Sequence, residues 1–438
     1  MDSSNPDGTT PDRSILGWRA SAVVFALIFA AIFLLHLSLV RLPYFWDEAG
    51  YYVPAAHDLL QSGSLIPLTS PSNAHPPLVM AFLAAAWKIL GYKPMVTRSA
   101  MLLVAAFTLL GLFRLARQVA NFEVAVATTL CAALYPVFFA QSSLAHVDLA
   151  AAGLTFWALH SYLARRMPAA VVWFSLAALA KETAILVPAA LFGWEVLCPL
   201  LNQYFKAPIE PARFRWKKAA SLLAPIAVLS LWYAYHYART GYVFGNPEFF
   251  RYNVQATMNP LRILLTLGMR LWQVVGYLHL SVLTLLMLWA MTRPPIVDTE
   301  GERQRIAVPD QLALAVVILA YVAAMSVVGG AVLARYMLTA VPLVILIAIS
   351  TLRRRIRAWR WLVGVICAAF VAALFINPPY GFAPEDNLAY RDFIVMHEDA
   401  ARFLEARYSS ARVLTAWPAS GELSQPQLGY ISKPLRVV

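Results

Sequence analysis

Charged residues are scarce in this 438-residue chain: Asp, Glu, Lys and Arg together make up 13% of it, against 60% for hydrophobic residues. With a mean hydropathy of +0.63, that scarcity excludes a soluble globular domain and indicates a polytopic membrane protein. Cysteine is nearly absent. Cys131, Cys198 and Cys367 are odd in number, lie in apolar runs and have no metal-ligand spacing, so they read as small core residues. There is no Gly-rich phosphate loop and no Asp-x-Asp, which removes support for a soluble nucleotide-sugar donor. Residues 1–15 are polar and include acids, and no basic n-region, short apolar stretch and cleavage site follow one another. The first apolar run therefore reads as a retained helix rather than a signal peptide. No repeat of fixed period and no low-complexity tract is found.

What charge there is leans to one sign, with 35 Lys and Arg against 23 Asp and Glu and a net charge of +12. In a soluble protein a pI near 9.7 would raise nucleic acid as a partner; here membrane topology accounts for it, and no nucleic acid is expected. If residues 75–90 lie along the interface, eleven spans follow: 20–40, 94–115, 122–141, 146–163, 168–180, 183–201, 219–237, 271–291, 311–330, 336–352 and 361–376. With the N-terminus inside, the cytoplasmic loops hold 19 of the 35 Lys and Arg, among them Arg13, Lys206, Arg213 and the cluster at 353–360. A crossing by 75–90, which is short and contains Lys88, would carry that cluster outside. Positive charge belongs inside. The expected fold class is thus an all-α polytopic membrane protein with interfacial helices in its outer loops. It divides into a cytoplasmic tail (1–17), a transmembrane domain (18–376) whose first outer loop is 41–93, and a short outer segment (377–438) read as a small α+β appendage. Residues 240–270 read as an amphipathic outer connection.

The chain is organised around residues 41–52, Arg-Leu-Pro-Tyr-Phe-Trp-Asp-Glu-Ala-Gly-Tyr-Tyr, directly after the first span. That span, 20–40, is close to the ~20 residues that a helix needs to cross ~30 Å of hydrocarbon. Asp47 and Glu48 fall where it leaves the lipid. Carboxylates at such an edge face either solvent, as an ordinary loop start, or a functional cavity. The same topology puts His75, Asp148, Lys181 and Arg335 on that outer face. Two outer carboxylates, Asp47 and Asp148, could bind a cation, orient a nucleophile or act as general base; the plain alternative for Asp148 is a helix N-cap. Lys181, Arg335 and His75 could stabilise a phosphate leaving group, or simply snorkel and end helices. Lys181-Glu182 interrupts an apolar run that otherwise continues to 201. Such a break is tolerated at membrane depth only where protein or water satisfies it.

Tyr44-Phe-Trp-Asp-Glu-Ala-Gly-Tyr-Tyr52, His75-Pro-Pro-Leu78, Gly91 with Arg98, Ala145-His-Val-Asp148, Ala178-Leu-Ala-Lys-Glu-Thr183 and Ala334-Arg-Tyr-Met-Leu-Thr-Ala-Val-Pro342 come in an order and at spacings that resemble a known family. Over about 18–376 the chain is similar to integral-membrane glycosyltransferases of the GT-C type, the bacterial family 39 enzymes that include protein O-mannosyltransferases and lipid A aminoarabinose transferases. The resemblance implies transfer of a sugar from a polyprenyl-phosphate carrier, on the periplasmic face of a bacterial inner membrane, with inversion at the anomeric carbon. Asp47 matches the catalytic acid of the first outer loop, with Glu48 beside it, and Asp148 matches the second acidic position. Lys181 matches the lysine after the short fifth helix, and the Arg335-Tyr336 pair matches the late motif that faces the carrier phosphate; His75, Tyr51 and Tyr52 complete the expected substrate-binding set. Where the aminoarabinose transferases carry Glu-Lys, this chain has Ala74-His75. Members differ in metal requirement, so a divalent cation held by Asp47 and Asp148 stays open. The sugar and the acceptor, whether lipid, glycan or protein, are not specified. A transporter or flippase for a lipid-linked or anionic solute is the alternative from another class; clustering of the candidates on one face and the lack of paired broken helices in two halves favour an enzyme.

Overall fold

The computed structural model describes residues 17–205, 215–253, 255–299, 301–328 and 330–438. Most of the expected N-terminal tail, including Arg13, and the loop residues Lys206 and Arg213 lie outside the described residues. The chain is mostly helical. Helix α1 (Trp18–Leu35) leads into the outer-loop helices α2 (Val53–Ser62) and α3 (Leu78–Leu90), then α4 (Pro94–Val119), α5 (Phe122–Leu134) and α6 (Pro136–Gln141). Next come α7 (Asp148–Leu163), α8 (Met167–Ala180), α9 (Leu186–Phe205), α10 (Trp216–Ser221), α11 (Ala224–Thr240) and α12 (Pro247–Asn253). Helices α13 (Pro260–Val275), α14 (Leu280–Met291), α15 (Val308–Val327), α16 (Val341–Arg355) and α17 (Trp359–Phe375) complete the bundle. Among the described residues, six stretches are long and apolar enough to cross a membrane, at 18–35, 94–119, 182–199, 216–240, 260–291 and 308–327.

Their surfaces fit that environment. In α1, Val23, Leu27 and Leu34 are each more than half exposed, an apolar face that water would penalise and lipid would not. Helix α4 is its opposite, with 72% of its apolar window buried, and it packs along α5 and α7 at the centre. Gly153 lets α7 approach α4: a Cβ there would stand 2.2 Å from Thr108 Oγ1. Small residues at such crossings give membrane helices the close packing that holds them together.

Two expected spans are split. Residues 122–141 form α5 and α6, joined at Tyr135 with ψ 125°, because the residue before Pro136 is pushed out of the helical region and the proline has no N–H to give. In the second, α13 begins at Pro260, inside the stretch read as an outer connection, with the Asn259 side chain accepting from the backbone N–H of Leu261 and Arg262. Arg270, at the end of that stretch, is not at the surface. It is fully buried, donating to Met325 O at 3.3 Å, Leu333 O at 2.7 Å and Gln273 Oε1 at 2.8 Å. Leu278 and His279, both at positive φ, then kink the chain into α14.

Residues 377–438 are woven into the molecule rather than appended to it. They carry helix α18 (Ala389–Arg407), the short α19 (Ala419–Ser424) and the parallel two-residue strands Arg412–Val413 and Arg436–Val437. Tyr390, Ile394, Leu428 and Tyr430 share one buried cluster with Tyr44, Phe45 and Val53 of the first outer loop. Each fully buried side chain of this size contributes ~1.5–3 kcal/mol. Tyr44 N–H donates to Leu428 O (3.2 Å) and Tyr430 O–H to Tyr44 O (3.0 Å), so the C-terminal segment grips the loop three residues before Asp47.

Candidate functional site

The loop that carries the acids is tied down before it reaches them. Thr97 Oγ1, on α4, accepts from Trp87 Nε1 (2.9 Å) and pairs with Tyr44 O–H (2.7 Å). Trp46 then adopts a left-handed backbone, φ 45°, a conformation costing ~1–2 kcal/mol for a residue with a Cβ. A single π-helical turn, Glu48–Tyr52, follows. Both features recur at functional sites, where surrounding packing sustains them. Successive residues of a helical turn point ~100° apart, and here that sends two neighbouring acids to different partners.

Glu48 goes inward. Its Oε1 accepts from Arg98 Nη1 (2.6 Å) and the Ala145 N–H (2.6 Å), its Oε2 from the Phe45 N–H (2.8 Å), and both side chains of the ion pair are fully buried. Arg98 also donates to Pro43 O (2.6 Å) and Ser143 O (2.9 Å). This pair stitches the loop at 43–48 to the loop at 143–145. Glu48 was expected beside Asp47 as a catalytic acid; with both oxygens committed to N–H donors it is a strut.

Asp47 goes to Arg335. Its Oδ2 is bound by Arg335 Nη2, and the side chain keeps 20% exposure. Among the described residues nothing hydrogen-bonds its Oδ1. Asp148 opens α7 and stays buried, its Oδ1 accepting from Lys181 Nζ and its Oδ2 lying 3.4 Å from Arg335 Nε. Lys181 sits where α8 ends, its Nζ 4.1 Å over the Tyr336 ring, while Arg335 and Tyr336 come from a short 3-10 turn, Ala334–Met337, before α16. Asp47, Asp148, Lys181, Arg335 and Tyr336 are therefore one assembly, drawn from four separate stretches of chain.

A residue outside the expected set completes it. Glu385, in the turn after α17, places Oε1 2.8 Å from Arg335 Nη1. Next to it Asp386 Oδ2 accepts from Tyr277 O–H at 2.6 Å. Burial, offset in part by Arg335 and reinforced by Asp47, pushes the Glu385 carboxyl up to about 8; burial likewise raises Asp386 to about 6. His146 is fully buried and held well below its ordinary range by burial and then by Arg335, Arg98 and Lys181. Its Nδ1 pairs with Gln141 Oε1 (2.7 Å), and Arg335 Nη1 lies 3.1 Å from Nδ1 and 3.3 Å from Nε2. An adjacent acid pair just past the last span was the sequence signal for Glu385, the same signal that drew notice to Asp47 and Glu48.

Several polar atoms at this place are buried without a hydrogen bond: Arg335 Nε, Asp148 Oδ2, Glu385 Oε1, Asp386 Oδ1 and Arg270 Nη2. Orphans are few in folded proteins, and a group of them calls for a missing partner. That partner must both accept from guanidinium N–H and donate to carboxylates. Around the assembly His75 Nδ1 pairs with Glu182 Oε2 at 2.8 Å, and the Tyr52 ring lies 5.7 Å from His75 and 5.8 Å from His146. Tyr51 stands at the rim, 6.1 Å from Trp417. Tyr51, Tyr52, Ser72, Asn73, His75 and Trp232 line a narrow cleft there. A metal held by Asp47 and Asp148 fits this arrangement poorly, because the inward oxygens of both acids already face Arg335 and Lys181. Among the described residues no three His, Cys, Asp or Glu side chains are disposed to ligate an ion.

Comparison with known proteins bears on the family and the fold. Residues 74–233 match the family model described as dolichyl-phosphate-mannose-protein mannosyltransferase, a stretch that contains His75, Arg98, Asp148 and Lys181. No curated protein matches the sequence at a significant level. The fold is similar to that of ArnT from Cupriavidus metallidurans bound to undecaprenyl phosphate, with a TM-score of 0.59 at 14% identity, over 96% of this chain and 86% of that one. It is similar to ArnT from the same organism in the apo state, with a TM-score of 0.56 at 17% identity over 88% and 73%. The Archaeoglobus fulgidus oligosaccharyltransferase in its apo form gives a TM-score of 0.50 at 12% identity over 96% and 64%. The chain thus has the fold of these membrane proteins, carries the mannosyltransferase family's pattern across residues 74–233, and resembles the GT-C type glycosyltransferases.

Proposed function

We propose that this protein transfers a sugar from a polyprenyl-phosphate carrier to an acceptor hydroxyl on the periplasmic side of a bacterial inner membrane, with its N-terminus in the cytoplasm and its C-terminus outside. One observation carries the reading. Asp47 has one oxygen fixed on Arg335 and the other without a partner, at the edge of a buried cluster whose orphaned atoms include both donors and acceptors. A sugar phosphate answers that pattern, since phosphoryl oxygens accept from Arg335 Nε–H while sugar hydroxyls donate to Asp148 Oδ2 and its neighbours. The undecaprenyl phosphate bound to the Cupriavidus ArnT is a carrier of the required kind.

In this mechanism the carrier phosphate lies against Arg335 and Lys181, with His75 at its margin. Asp47 Oδ1 accepts the acceptor's hydroxyl proton as the oxygen attacks the anomeric carbon from the face opposite the phosphate. A new glycosidic C–O bond forms with inversion, the bond from that carbon to the phosphate oxygen breaks, and polyprenyl phosphate departs with the electron pair. The singly charged diester becomes a doubly charged monoester, and fixed cations placed where charge develops provide the main electrostatic help. Asp148 keeps Lys181 in position, and the Tyr336 ring separates Lys181 from Arg270. The positive charge that a divalent ion would bring is supplied here by Arg335 and Lys181.

The test is release of polyprenyl phosphate by purified protein given radiolabelled polyprenyl-phosphate sugars and a membrane extract as acceptor. Release coupled to label in a new product, with the anomeric configuration inverted, is the expected outcome. Carrier binding without release from any donor would overturn the reading.

A further inference from the structure

Arg335 is crowded by its own protein. Three carboxylates, from Asp47, Asp148 and Glu385, lie within an ion-pair distance of its guanidinium, in a space where the Glu385 and Asp148 side chains are each only 4% exposed. A second cation, Lys181, is spoken for by Asp148. Resting on the transferase reading above, the arrival of a carrier phosphate therefore brings further negative charge to an arginine that already has more than enough. In a poorly solvated space like charges cannot all remain ionised. One of the three acids has to withdraw or take up a proton.

The three acids are not equivalent. The Asp47 side chain keeps 20% exposure, and Asp148 is held by Lys181 as well as facing Arg335. Glu385 has no second cation. Its Oε1 sits 2.8 Å from Arg335 Nη1 without hydrogen-bond geometry, and it rides on a turn between α17 and α18 rather than on a spanning helix. We propose that Glu385 is a placeholder for the carrier phosphate: its carboxyl occupies Arg335 while the site is empty, and when the phosphate binds it leaves Arg335 and keeps its proton.

The surroundings favour that assignment. From its own turn Glu385 faces Asp386, which is tied to Tyr277; from the other elements it faces Arg335, Asp47 and Asp148, with the neutral His146 on the far side of Arg335. Burial and the neighbouring acids outweigh Arg335 and already push its carboxyl up to about 8. Phosphate at Arg335 removes the offsetting cation and adds negative charge, so the proton is held more tightly in the complex than in the free protein. By linkage, binding then takes up a proton at a pH where the free carboxyl is ionised, and affinity falls as pH rises.

The experiment measures undecaprenyl phosphate binding to the detergent-solubilised full chain by titration calorimetry, between pH 7.5 and 9.5, for wild type and Glu385→Gln. Over that window the phosphate monoester stays doubly charged, since its second proton leaves near pH ~6. For wild type the Kd rises toward tenfold per pH unit in the upper part of the window. Measured in two buffers of different ionisation enthalpy at pH 9, up to one proton is taken up. Glu385→Gln, already neutral, binds with a Kd that stays level across the window and takes up no proton. A wild-type Kd that is level, or a variant that keeps the wild-type slope and proton uptake, overturns the placeholder while leaving the transferase reading intact. If the wild type binds no carrier at any pH, the underlying reading falls first and the placeholder with it.

Discussion

Two acid–arginine pairs lie one residue apart in the first outer loop and differ in every respect that matters. Glu48 and Arg98 are both fully buried and nearly saturated, joining Pro43, Phe45, Ser143 and Ala145 into one rigid knot. Asp47 is partly open and, among the described residues, accepts a hydrogen bond only from Arg335; each arginine leaves its Nε without a hydrogen bond, but Arg335 shares its neighbourhood with two further acids. A buried pair whose lone pairs and protons are satisfied rigidifies a structure. A pair with orphans nearby is waiting for something. The first builds the frame, and the second is where we propose that the carrier acts.

The largest effect expected from this contrast is on the frame. Arg98→Met leaves Glu48 buried and uncompensated, a loss on the order of 3–5 kcal/mol, read as a fall in the thermal midpoint in detergent and in the yield of folded protein. A variant as stable as wild type would erase the distinction between the pairs. Lys181→Met belongs to the other side. It removes a cation from the proposed leaving-group site and lowers kcat by roughly 10²–10³; because Asp148 keeps Arg335 beside it, the fall in midpoint is smaller than for Arg98→Met, and a fall as large as that of Arg98→Met with normal turnover would move Lys181 to the frame. Smaller again is Gly50→Ala. The added methyl would stand 2.7 Å from Trp417 Nε1, forcing the C-terminal segment away from the loop at a cost of about 1–3 kcal/mol, seen as easier proteolysis of residues 377–438. The smallest is a slope. The folded Asp386 carboxyl is raised from 3.8 to about 6, so the fold prefers its protonated form; this stabilisation is complete below about pH 4 and is lost as pH rises through 6. The thermal midpoint of Asp386→Asn falls less steeply than that of wild type across that window.

The sequence made the frame and the reactive pair look alike. Asp47 and Glu48 are neighbours with the same chemistry, and only the π-turn at Glu48–Tyr52 and the left-handed Trp46 decide which of them faces Arg335; neither feature has a sequence signature. Asp148, Lys181 and Arg335 were legible because each breaks or ends an apolar run at a membrane surface, where charge needs a reason. The interruption at Lys181 is real: α8 stops at Ala180 and a 3-10 turn intervenes before α9. Glu385 was hidden by its setting, since an acid in a polar tail draws no attention. Its role depends on a fold-back that joins residue 385 to residue 335 and residue 430 to residue 44. Residues 240–270 erred in the opposite direction: they read as an outer connection, yet α13 begins at Pro260 and backbone carbonyls at 325 and 333 absorb the charge of Arg270 inside the bundle.

The most direct test of the central claim is the rate of sugar transfer from a polyprenyl-phosphate donor by wild type and Asp47→Asn, with undecaprenyl phosphate binding and thermal midpoint measured on the same preparations. The account predicts a loss of about 10²–10⁴-fold in turnover, the usual contribution of a positioned proton acceptor, with carrier affinity and midpoint close to wild type. Turnover that survives the substitution would contradict it and would take the proton-accepting role away from Asp47.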